Sequence, residues 1–446
     1  MNDNVLIIIF DKKQIRSFLE SKAFDKVLEN SGLKSRILFT NRLLPSSEEN
    51  QKYVLFPNMP AVLKRSGSLL GSSLLWRKRY QTVAHLRRAV FSFAPRKIRQ
   101  ENTYHIYLDE NAISEITRLF VRILSIKYLY ITLRFMRTWL VLRFLKRTFS
   151  DLNLELGDYQ AAFVPYSGHL SPYFDDFVNF FQHHGIKTIG VQENWDNLSS
   201  KAFIDCNPDV FCVWGEQSAG HLKNVHSLFD TKIVITGSPR MQPYYLSNSE
   251  YKDVQRIPPN LAKKIVSPYI LFTGTGDGLD DEHILNTIFE SIGDIGNLQL
   301  VYRPHPSVRR PISHEVMKEF ILKGLIVDDH ESSRGVFYHV GLIMNAQLII
   351  NQFSTMLVET LLCNKKILLP GFISRKVKFD YIDACKSWDH LIGISALPNV
   401  FISSSRGNFK TDFIKALASE YQDSSKGANW LSAKIDVSEK FLEALK

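Results

Sequence analysis

Short apolar segments alternate with longer, helix-like segments along most of this 446-residue chain. Apolar runs of four to eight residues fit strands that are buried on both faces, and the longer segments between them fit helices. Strands joined through helices pair in parallel, and the helices then cover both faces of the sheet. The first half has predicted strands at 5–10, 35–40, 159–165, 188–192, 210–214 and 232–236, and predicted helices at 12–31 and 173–184. The pattern therefore predicts an α/β protein with doubly wound parallel sheets.

The alternation restarts at residue 267, after a polar stretch rich in proline and serine. The chain is also longer than the length over which one hydrophobic core keeps growing. We predict a first domain over 1–240 with a basic helical insertion at about 43–150, a linker over 241–266, and a second domain over 267–446 with a terminal helix. Both domains should be Rossmann-like and face a central cleft, because α/β sheets bind ligands at the carboxyl ends of their strands.

The net charge of +10 is concentrated in the insertion. Residues 76–100 and 116–150 each hold eight Lys or Arg and no acid. The second run mixes these with Leu, Ile, Phe, Tyr and Trp139, which predicts one or two helices whose apolar side needs a partner. The partner could be the domain's own core, or an anionic membrane surface to which each basic residue adds roughly 1 kcal/mol. Nucleic acid is the third interpretation, and we exclude it from the predicted partners because no recognised binding motif accompanies the charge.

The cysteines and the apolar segments bear on location. Cys206, Cys212, Cys363 and Cys385 show no Cys-x-x-Cys spacing, so we interpret them as core residues in a reducing compartment. Residues 1–10 lack the features of a signal peptide, and no apolar run is long enough to span a bilayer. The predicted location is the cytoplasm, with peripheral binding to the inner face of the cytoplasmic membrane as a candidate role of the insertion.

Three predicted strands of the second domain end in polar residues that suit an anionic ligand. Alternating glycines let backbone amides approach a phosphate, and prolines on both sides hold a histidine rigidly beside an arginine. Hydroxyls at a helix start favour an anion, and a glutamate one turn later could hold a ribose hydroxyl. The candidates are Gly274, Thr275 and Gly276 after strand 269–273, Arg303, His305 and Pro306 after strand 298–303, and Ser354, Thr355 and Glu359 after strand 347–351. A plain strand exit and an ordinary helix cap are the alternatives; His221 and His339 lack such neighbours and are interpreted as structural.

In the first domain, the loop after strand 188–192 is the best candidate for a general base. A carboxylate at a strand end can take the proton of an acceptor hydroxyl. Asp196 is preferred over Glu193 because the Trp195 ring could cover it and raise its pKa by desolvation. Asp196 could instead close a turn, and His169, after strand 159–165, is a third candidate. Acceptor-side candidates in the same loop are Trp195, Asn197 and Lys201.

The order of these motifs resembles the donor half of GT-B glycosyltransferases. The similarity is greatest to bacterial CMP-sugar transferases of the sialyl and Kdo types and to CDP-glycerol glycerophosphotransferases, and it covers roughly residues 164–371. It implies that His305 and Pro306 lie at the nucleotide and Ser354 and Thr355 at the phosphate, with Arg303 nearby. The turn ending at Arg240 resembles the Gly-x-Pro-Arg entry to the GT-B linker, so Arg240 could reach a phosphate. The acidic-acidic-Gly motif of the sialyltransferases and the acceptor-loop histidine of the glycerophosphotransferases are both absent from residues 192–201.

The resemblance implies a metal-independent GT-B glycosyltransferase without a cofactor. It would move a sugar from a nucleotide donor, CMP- or CDP-type favoured, to a glycan or lipid-linked acceptor in the synthesis of bacterial surface polysaccharide such as capsule or O-antigen. A UDP-sugar 2-epimerase-like enzyme, a CDP-glycerol-type polyol phosphate transferase and a non-catalytic membrane-associated scaffold are the alternatives. The absence of an Asp-x-Asp motif disfavours a metal, and the basic insertion argues against an epimerase, which needs no acceptor.

Overall fold

The computed structural model divides the chain into two units. It describes residues 3–40, 53–56, 119, 123, 126–167, 171–200, 204–246, 251–274, 281–293, 298–305, 312–328, 339–372, 382, 385–386 and 388–446. The first unit comprises Met1–Pro239 together with Ile435–Lys446, and the second comprises Arg240–Lys434. The predicted boundary near residue 240 is close to this division. The predicted linker differs, because 241–266 belongs to the second unit. A 3₁₀ helix at Pro239–Tyr244 extends into this range, and helix α7 at Pro259–Ala262 lies within it.

The described part of the first unit contains a parallel sheet of seven strands in the order β3-β2-β1-β4-β5-β6-β7. The strands are β1 (Asn4–Ile9), β2 (Arg36–Thr40), β3 (Tyr53–Phe56), β4 (Tyr159–Tyr166), β5 (Lys187–Gln192), β6 (Val210–Val213) and β7 (Lys232–Ile235). Alternate residues of β1 enter different cores, with Ile7 on one face and Leu6 on the other. Burial on both faces explains why these strands are continuous apolar runs.

Helices cover both faces of this sheet. They are α1 (Lys12–Gln14), α2 (Asp25–Glu29), α3 (Lys127–Asp151), α4 (Ser171–His183), α5 (Asn197–Ser200) and α6 (Glu216–Asn224). Helices α3 and α4 pack on one face, where Phe149 meets Phe180 at a ring-centroid distance of 5.2 Å. Although α3 has 25 residues, none of the helices in the described part of the chain has the length and apolarity required to cross a membrane.

Two local predictions for the first unit were wrong. The predicted helix at 12–31 is broken, because α1 continues as a π-helical turn at Ile15–Glu20 and Lys22 then adopts a left-handed φ of 59° before α2. Strand β3 lies inside the insertion that was predicted to be basic and helical. The strand is only four residues long, which is too short for the sequence pattern to predict it. Its position in the sheet is set by pairing with β2.

The described part of the second unit contains a six-stranded parallel sheet in the order β10-β9-β8-β11-β12-β13. Its strands are β8 (Tyr269–Thr273), β9 (Gln299–Arg303), β10 (Leu325–Val327), β11 (Leu348–Asn351), β12 (Ile367–Pro370) and β13 (Val400–Ser403). The helices are α8 (Asp281–Ile292), α9 (His314–Leu322), α10 (Val340–Asn345), α11 (Met356–Leu362), α12 (Arg406–Ala418) and α13 (Ser425–Leu431). Strand order turns at β8, which lies between β9 and β11, and this is the place where doubly wound sheets bind ligands.

The terminal helix α14 (Val437–Leu445) belongs to the first unit, whereas the sequence placed it in the second domain. Phe441 is fully buried and its ring lies 4.9 Å from that of Phe24 and 5.8 Å from that of Phe163. At the start of the helix, the Lys26 ammonium donates to Asp436 at 2.9 Å. The apolar face of α14 therefore closes one side of the first sheet.

Candidate functional site

The strand ends that the sequence singled out in the second unit are neighbours. In the parallel register, Thr273 of β8 pairs with Arg303 of β9 on one side and with Asn351 of β11 on the other. The three residues thus form one row across the carboxyl ends of adjacent strands. A ligand at this edge of the sheet would therefore lie within reach of all three strand ends.

A hydrogen-bond network fixes the turn between β11 and α11. The Asn351 amide donates to the carbonyl oxygen of Thr273 at 3.0 Å and to its hydroxyl at 2.6 Å. The Ser354 hydroxyl donates to the Asn351 side-chain oxygen at 2.7 Å and accepts from the Met356 amide at 3.2 Å. Ser354 and Thr355 are half-buried. Since α11 has only seven residues, side chains at this turn are a firmer basis for ligand binding than the helix dipole.

Arg303 is held by a buried counter-ion. Its guanidinium donates to the Asp328 carboxylate at 2.7 Å, and Asp328 is fully buried. The sequence pattern predicted this guanidinium as a phosphate partner, but the structure pairs it with a carboxylate of the protein. A buried cation requires such a partner. His305, two residues further on, is half-buried, and Pro306 lies outside the described residues.

The glycine after β8 is required by a close contact within the unit. A Cβ on Gly274 would lie 2.2 Å from the Asp281 carboxylate, which accepts a hydrogen bond from the Tyr302 hydroxyl at 2.8 Å. Burial and the Asp281 charge raise the pKa of Tyr302, so its hydroxyl keeps the proton that it donates. Packing alone thus accounts for glycine at 274. Thr275 and Gly276 lie outside the described residues.

Glu359 lies at the centre of a buried polar cluster. Its Oε2 accepts hydrogen bonds from the Tyr244 hydroxyl at 2.6 Å and from Nε2 of His339 at 2.9 Å, and those two atoms are 2.8 Å apart. Its Oε1 lies 3.5 Å from Nη2 of Arg240. The four residues come from three segments, namely the 3₁₀ helix Pro239–Tyr244, the residue preceding α10, and α11. We call these four residues the Glu359 cluster.

The electrostatics of the cluster favour an ionised Glu359 that accepts from a neutral phenol and a neutral imidazole. Burial alone would raise the pKa of Glu359, but the hydrogen bond from His339, the Arg240 charge and the hydrogen bond from the Tyr244 hydroxyl lower it. Burial and the nearby Arg303 charge lower the pKa of His339, against the opposing effect of Glu359. Burial and Glu359 raise the pKa of Tyr244 well above its usual value. At neutral pH we therefore assign a carboxylate, a phenol and an imidazole with its proton on Nε2.

The cluster brings together residues that belong to separate motifs in the sequence. Arg240 and Glu359 were both predicted as donor-site residues, although nothing in the pattern placed them together. His339 was interpreted as structural, and Tyr244 was not considered. No local motif marks His339 or Tyr244, and only their contact with Glu359 reveals them.

In the first unit, the two candidate carboxylates differ in environment. Glu193 is buried and accepts a hydrogen bond from the Gln14 amide at 3.1 Å. Asp196 is half-buried and accepts from the Asn194 amide at 3.2 Å. Asp196 is thus the more accessible of the two. His169 lies outside the described residues.

The predicted acceptor side of this loop needs correction. Trp195 is 2% exposed and its indole donates to the Gln217 side chain at 2.8 Å, so the ring belongs to the core. Asn197 is also buried, and its amide donates to the Tyr166 carbonyl at 3.0 Å. Both side chains hold the loop against neighbouring elements. Lys201 lies outside the described residues.

Comparisons with known proteins define the fold. No family model matches the sequence, and no curated protein matches it. A putative UDP-N-acetylglucosamine 2-epimerase from Listeria monocytogenes matches with a TM-score of 0.55 and 10% identity, covering 100% of this chain and 96% of that one. Staphylococcus aureus MnaA, solved with UDP, matches with a TM-score of 0.51 and 12% identity, covering 99% and 95%.

The glycotransferase of kitacinnamycin matches with a TM-score of 0.50 and 9% identity, covering 99% of this chain and 98% of that one. At such identities the likeness concerns the fold. The chain has the α/β GT-B fold with two Rossmann-like domains, and this prediction from the sequence is confirmed.

Proposed function

We propose that this chain is a nucleotide-sugar enzyme of the GT-B type that acts as a glycosyltransferase. It would move a sugar from a nucleotide donor to a glycan or lipid-linked acceptor in bacterial surface polysaccharide synthesis. The observation that carries the proposal is the Glu359 cluster, one helical turn from the hydroxyls of Ser354 and Thr355. An ionised carboxylate whose Oε2 is already saturated can offer Oε1 to a ribose hydroxyl.

The half-buried hydroxyls beside the cluster would serve the phosphates of the donor. Ser354 is held in place by Asn351, which is in turn held by Thr273, so these groups are positioned before a ligand arrives. Arg240, whose side chain is 27% exposed, supplies positive charge without a bound metal. Staphylococcus aureus MnaA, of the same fold, was solved with UDP, which supports a nucleotide as ligand.

For the acceptor half, we propose Asp196 as the general base. It is less buried than Glu193, whose carboxylate already accepts from Gln14. A base of this kind contributes about 10²–10⁴-fold to the rate. The acceptor itself is proposed to lie at an anionic membrane surface, with the protein bound peripherally to the cytoplasmic face.

A UDP-sugar 2-epimerase is the second candidate. It is favoured by the names of several structures of this fold, among them UDP-N-acetylglucosamine 2-epimerases from Listeria monocytogenes and Methanocaldococcus jannaschii. Helix α3 exposes apolar residues such as Phe135 and basic residues such as Arg143. This surface favours transfer, because an enzyme whose substrate and product are both soluble has no need of it. CDP-glycerol-type polyol phosphate transfer is the third candidate function, and a non-catalytic scaffold is the fourth.

The nucleotide site is tested by thermal melting with CMP, CDP and UDP. We expect one nucleotide to raise the melting temperature of the wild type and of Glu319→Gln, an exposed control on α9, but not that of Glu359→Gln. An equal response in Glu359→Gln would overturn the site, and no response in any variant would favour the scaffold. A larger rise in melting temperature with CMP or CDP than with UDP supports the transferase. Turnover of CDP-glycerol would identify polyol phosphate transfer.

The reaction is tested by product analysis in deuterated water. Inversion of a sugar carbon breaks its C–H bond, so an epimerase introduces deuterium at C-2 of the sugar, whereas a transferase leaves that carbon unlabelled and releases the nucleotide. Asp196→Asn should keep the nucleotide response and lose turnover by about 10²–10⁴-fold. Full turnover by Asp196→Asn would show that another residue is the general base.

A further inference from the structure

Helix α3 is anchored to the first unit by polar and charged groups along its inner face. The Tyr130 hydroxyl donates to the Asp205 carboxylate at 2.8 Å, and the Arg134 guanidinium donates to the Asp205 carbonyl at 2.7 Å. One turn later, Arg137 forms a buried ion pair with Asp176 of α4. These residues follow the i, i+4, i+7 spacing of a single helix face.

The same inner face continues as apolar packing. Val141, Leu145 and Phe149 are all buried in the core shared with α4. Polar anchors and apolar packing together hold α3 against the first unit from Tyr130 to Phe149. These contacts fix the rotation of the helix about its axis. They therefore also fix which residues form its outer face, the side turned away from the first unit.

The outer face of α3 is apolar where a solvated helix would be polar. Its first half exposes large side chains, with Tyr128 78% exposed and Phe135 72% exposed. The other exposed large apolar residues of this half are Leu129, Ile131, Met136, Trp139 and Leu140, which are between 37% and 55% exposed. An ordinary surface helix places such residues inward and its charges outward. Here the buried Arg137–Asp176 ion pair lies inward and aromatic rings lie outward, so the outer face requires a partner.

The second half of the outer face is basic. Arg143, Lys146 and Arg147 are exposed, and the Arg143 guanidinium lies 4.6 Å from the centre of the Trp139 ring. Asp151, 3.9 Å from Arg147, is the only acid of the helix. We call the residues from Tyr128 to Arg147 on this side the outer face of α3. Along one helix, it presents apolar and aromatic groups first and cations afterwards.

We propose that the outer face of α3 binds the surface of an anionic lipid bilayer, with the helix lying in the plane of that surface. Apolar and aromatic side chains suit the boundary between headgroups and acyl chains, and guanidinium and ammonium groups suit lipid phosphates. A nucleic acid would bind the cations, whereas a lipid surface accommodates both the cations and the exposed apolar residues such as Phe135 and Met136. A protein partner would need an acidic surface to match the basic half.

This proposal deepens the proposed function, because a membrane-bound acceptor would be reached from such a surface. Lipid binding is nevertheless measured without nucleotide or acceptor. Failure of the vesicle experiment and failure of the nucleotide experiment are therefore separate results.

The test is flotation of the full-length protein with vesicles of phosphatidylcholine, alone or mixed with phosphatidylglycerol. We expect binding to the mixed vesicles only, and its loss in high salt, which screens exposed charges. The triple variant Arg143→Gln, Lys146→Gln, Arg147→Gln should weaken binding on the order of a hundredfold. A matched control removes three exposed lysines of the second unit, in Lys252→Gln, Lys263→Gln, Lys264→Gln, and should bind as the wild type does.

The apolar half is tested by Phe135→Ser with Trp139→Ser, against Phe229→Ser, which removes a ring of comparable exposure outside α3. Only the first pair should lose vesicle binding, and all variants should melt as the wild type does because the replaced groups are exposed. Brominated lipid should quench the fluorescence of the wild type more than that of Trp139→Ser.

Four results would overturn the proposal. Equal loss in the charge control would show a nonspecific effect of net charge, and binding to neither vesicle would exclude the bilayer. Binding to a DNA duplex without binding to vesicles would assign the face to nucleic acid. A fall from dimer to monomer in Phe135→Ser with Trp139→Ser, seen by sedimentation without lipid, would make it a contact between two copies of the chain.

Discussion

At the scale of single residues, the second unit shows how a buried carboxylate can be prepared for a ligand. Glu359 is ionised because Tyr244 and His339 donate to one of its oxygens and Arg240 lies near the other. His339 is kept neutral chiefly by its burial. Glu359 is therefore negatively charged beside the turn at Ser354, and its contact with His339 is a hydrogen bond from a neutral imidazole.

The neutral state of His339 predicts a pH dependence of stability. Its pKa in the fold is lowered from 6.5, so below pH 6.5 the unfolded chain binds a proton that the folded chain does not. The contribution of the neutral imidazole to the free energy of unfolding is therefore complete above pH 6.5 and is lost as the pH falls below it.

The measurement is urea unfolding of the second unit between pH 7.5 and 5.5. His339→Gln should be less stable at pH 7.5 but should lose less on acidification than the wild type. His183→Gln, on the exposed side of α4, should lose as much as the wild type. A steeper acid loss in His339→Gln would contradict the assignment of a neutral imidazole.

At the scale of elements, residues 251–257 of the second unit pack on α10 of the same unit. The sequence pattern around 251–257 is polar and was predicted to be a linker, yet Tyr251 is buried and the backbone of Arg256 lies against Gly341. A Cβ on Gly341 would lie 1.8 Å from the Arg256 carbonyl oxygen. Such a contact involves two distant backbone segments, so local composition does not report it.

Gly341→Ala is therefore expected to destabilise the second unit by about 1–3 kcal/mol, because the backbone must shift to admit the methyl group. Gly220→Ala is the control, since a Cβ at that helical glycine meets nothing within 4 Å, and it should be neutral or gain roughly 0.5–1 kcal/mol. Urea midpoints of both variants measure the difference. A Gly341→Ala variant with the urea midpoint of the wild type would show that residues 251–257 do not pack on α10 in solution.

At the scale of the whole molecule, the chain returns to its first unit at the end. Helix α14 covers the first sheet beside α2, and Lys26 bridges both Asp436 and Glu439. The two units therefore do not correspond to two consecutive halves of the sequence. Stability of the first unit depends on residues from both ends of the chain.

Phe441→Ala should thus destabilise the first unit by about 3–5 kcal/mol, through the cavity left between Phe24 and Phe163. Hydrogen exchange should show faster opening of β1 and β4, with β8 and β11 of the second unit unchanged. Glu443→Gln, which removes an exposed ion pair on the same helix, should have little effect. Equal loss of protection in both units would contradict the assignment of α14 to the first.

The sequence by itself determined the class of fold and the strand ends at which polar residues gather. Alternating apolar runs specify strands buried on both faces. The same runs show where each strand ends, and so they place Gly274, Arg303 and Asn351 at the carboxyl ends of three strands. Only the tertiary structure decided that Arg303 is neutralised by Asp328, that Trp195 lies in the core, that His339 and Tyr244 meet Glu359, and that α14 joins the first unit. The reason is physical: periodicity is a local property of neighbouring residues, whereas these contacts join segments far apart in the chain and exist only after the sheets have formed.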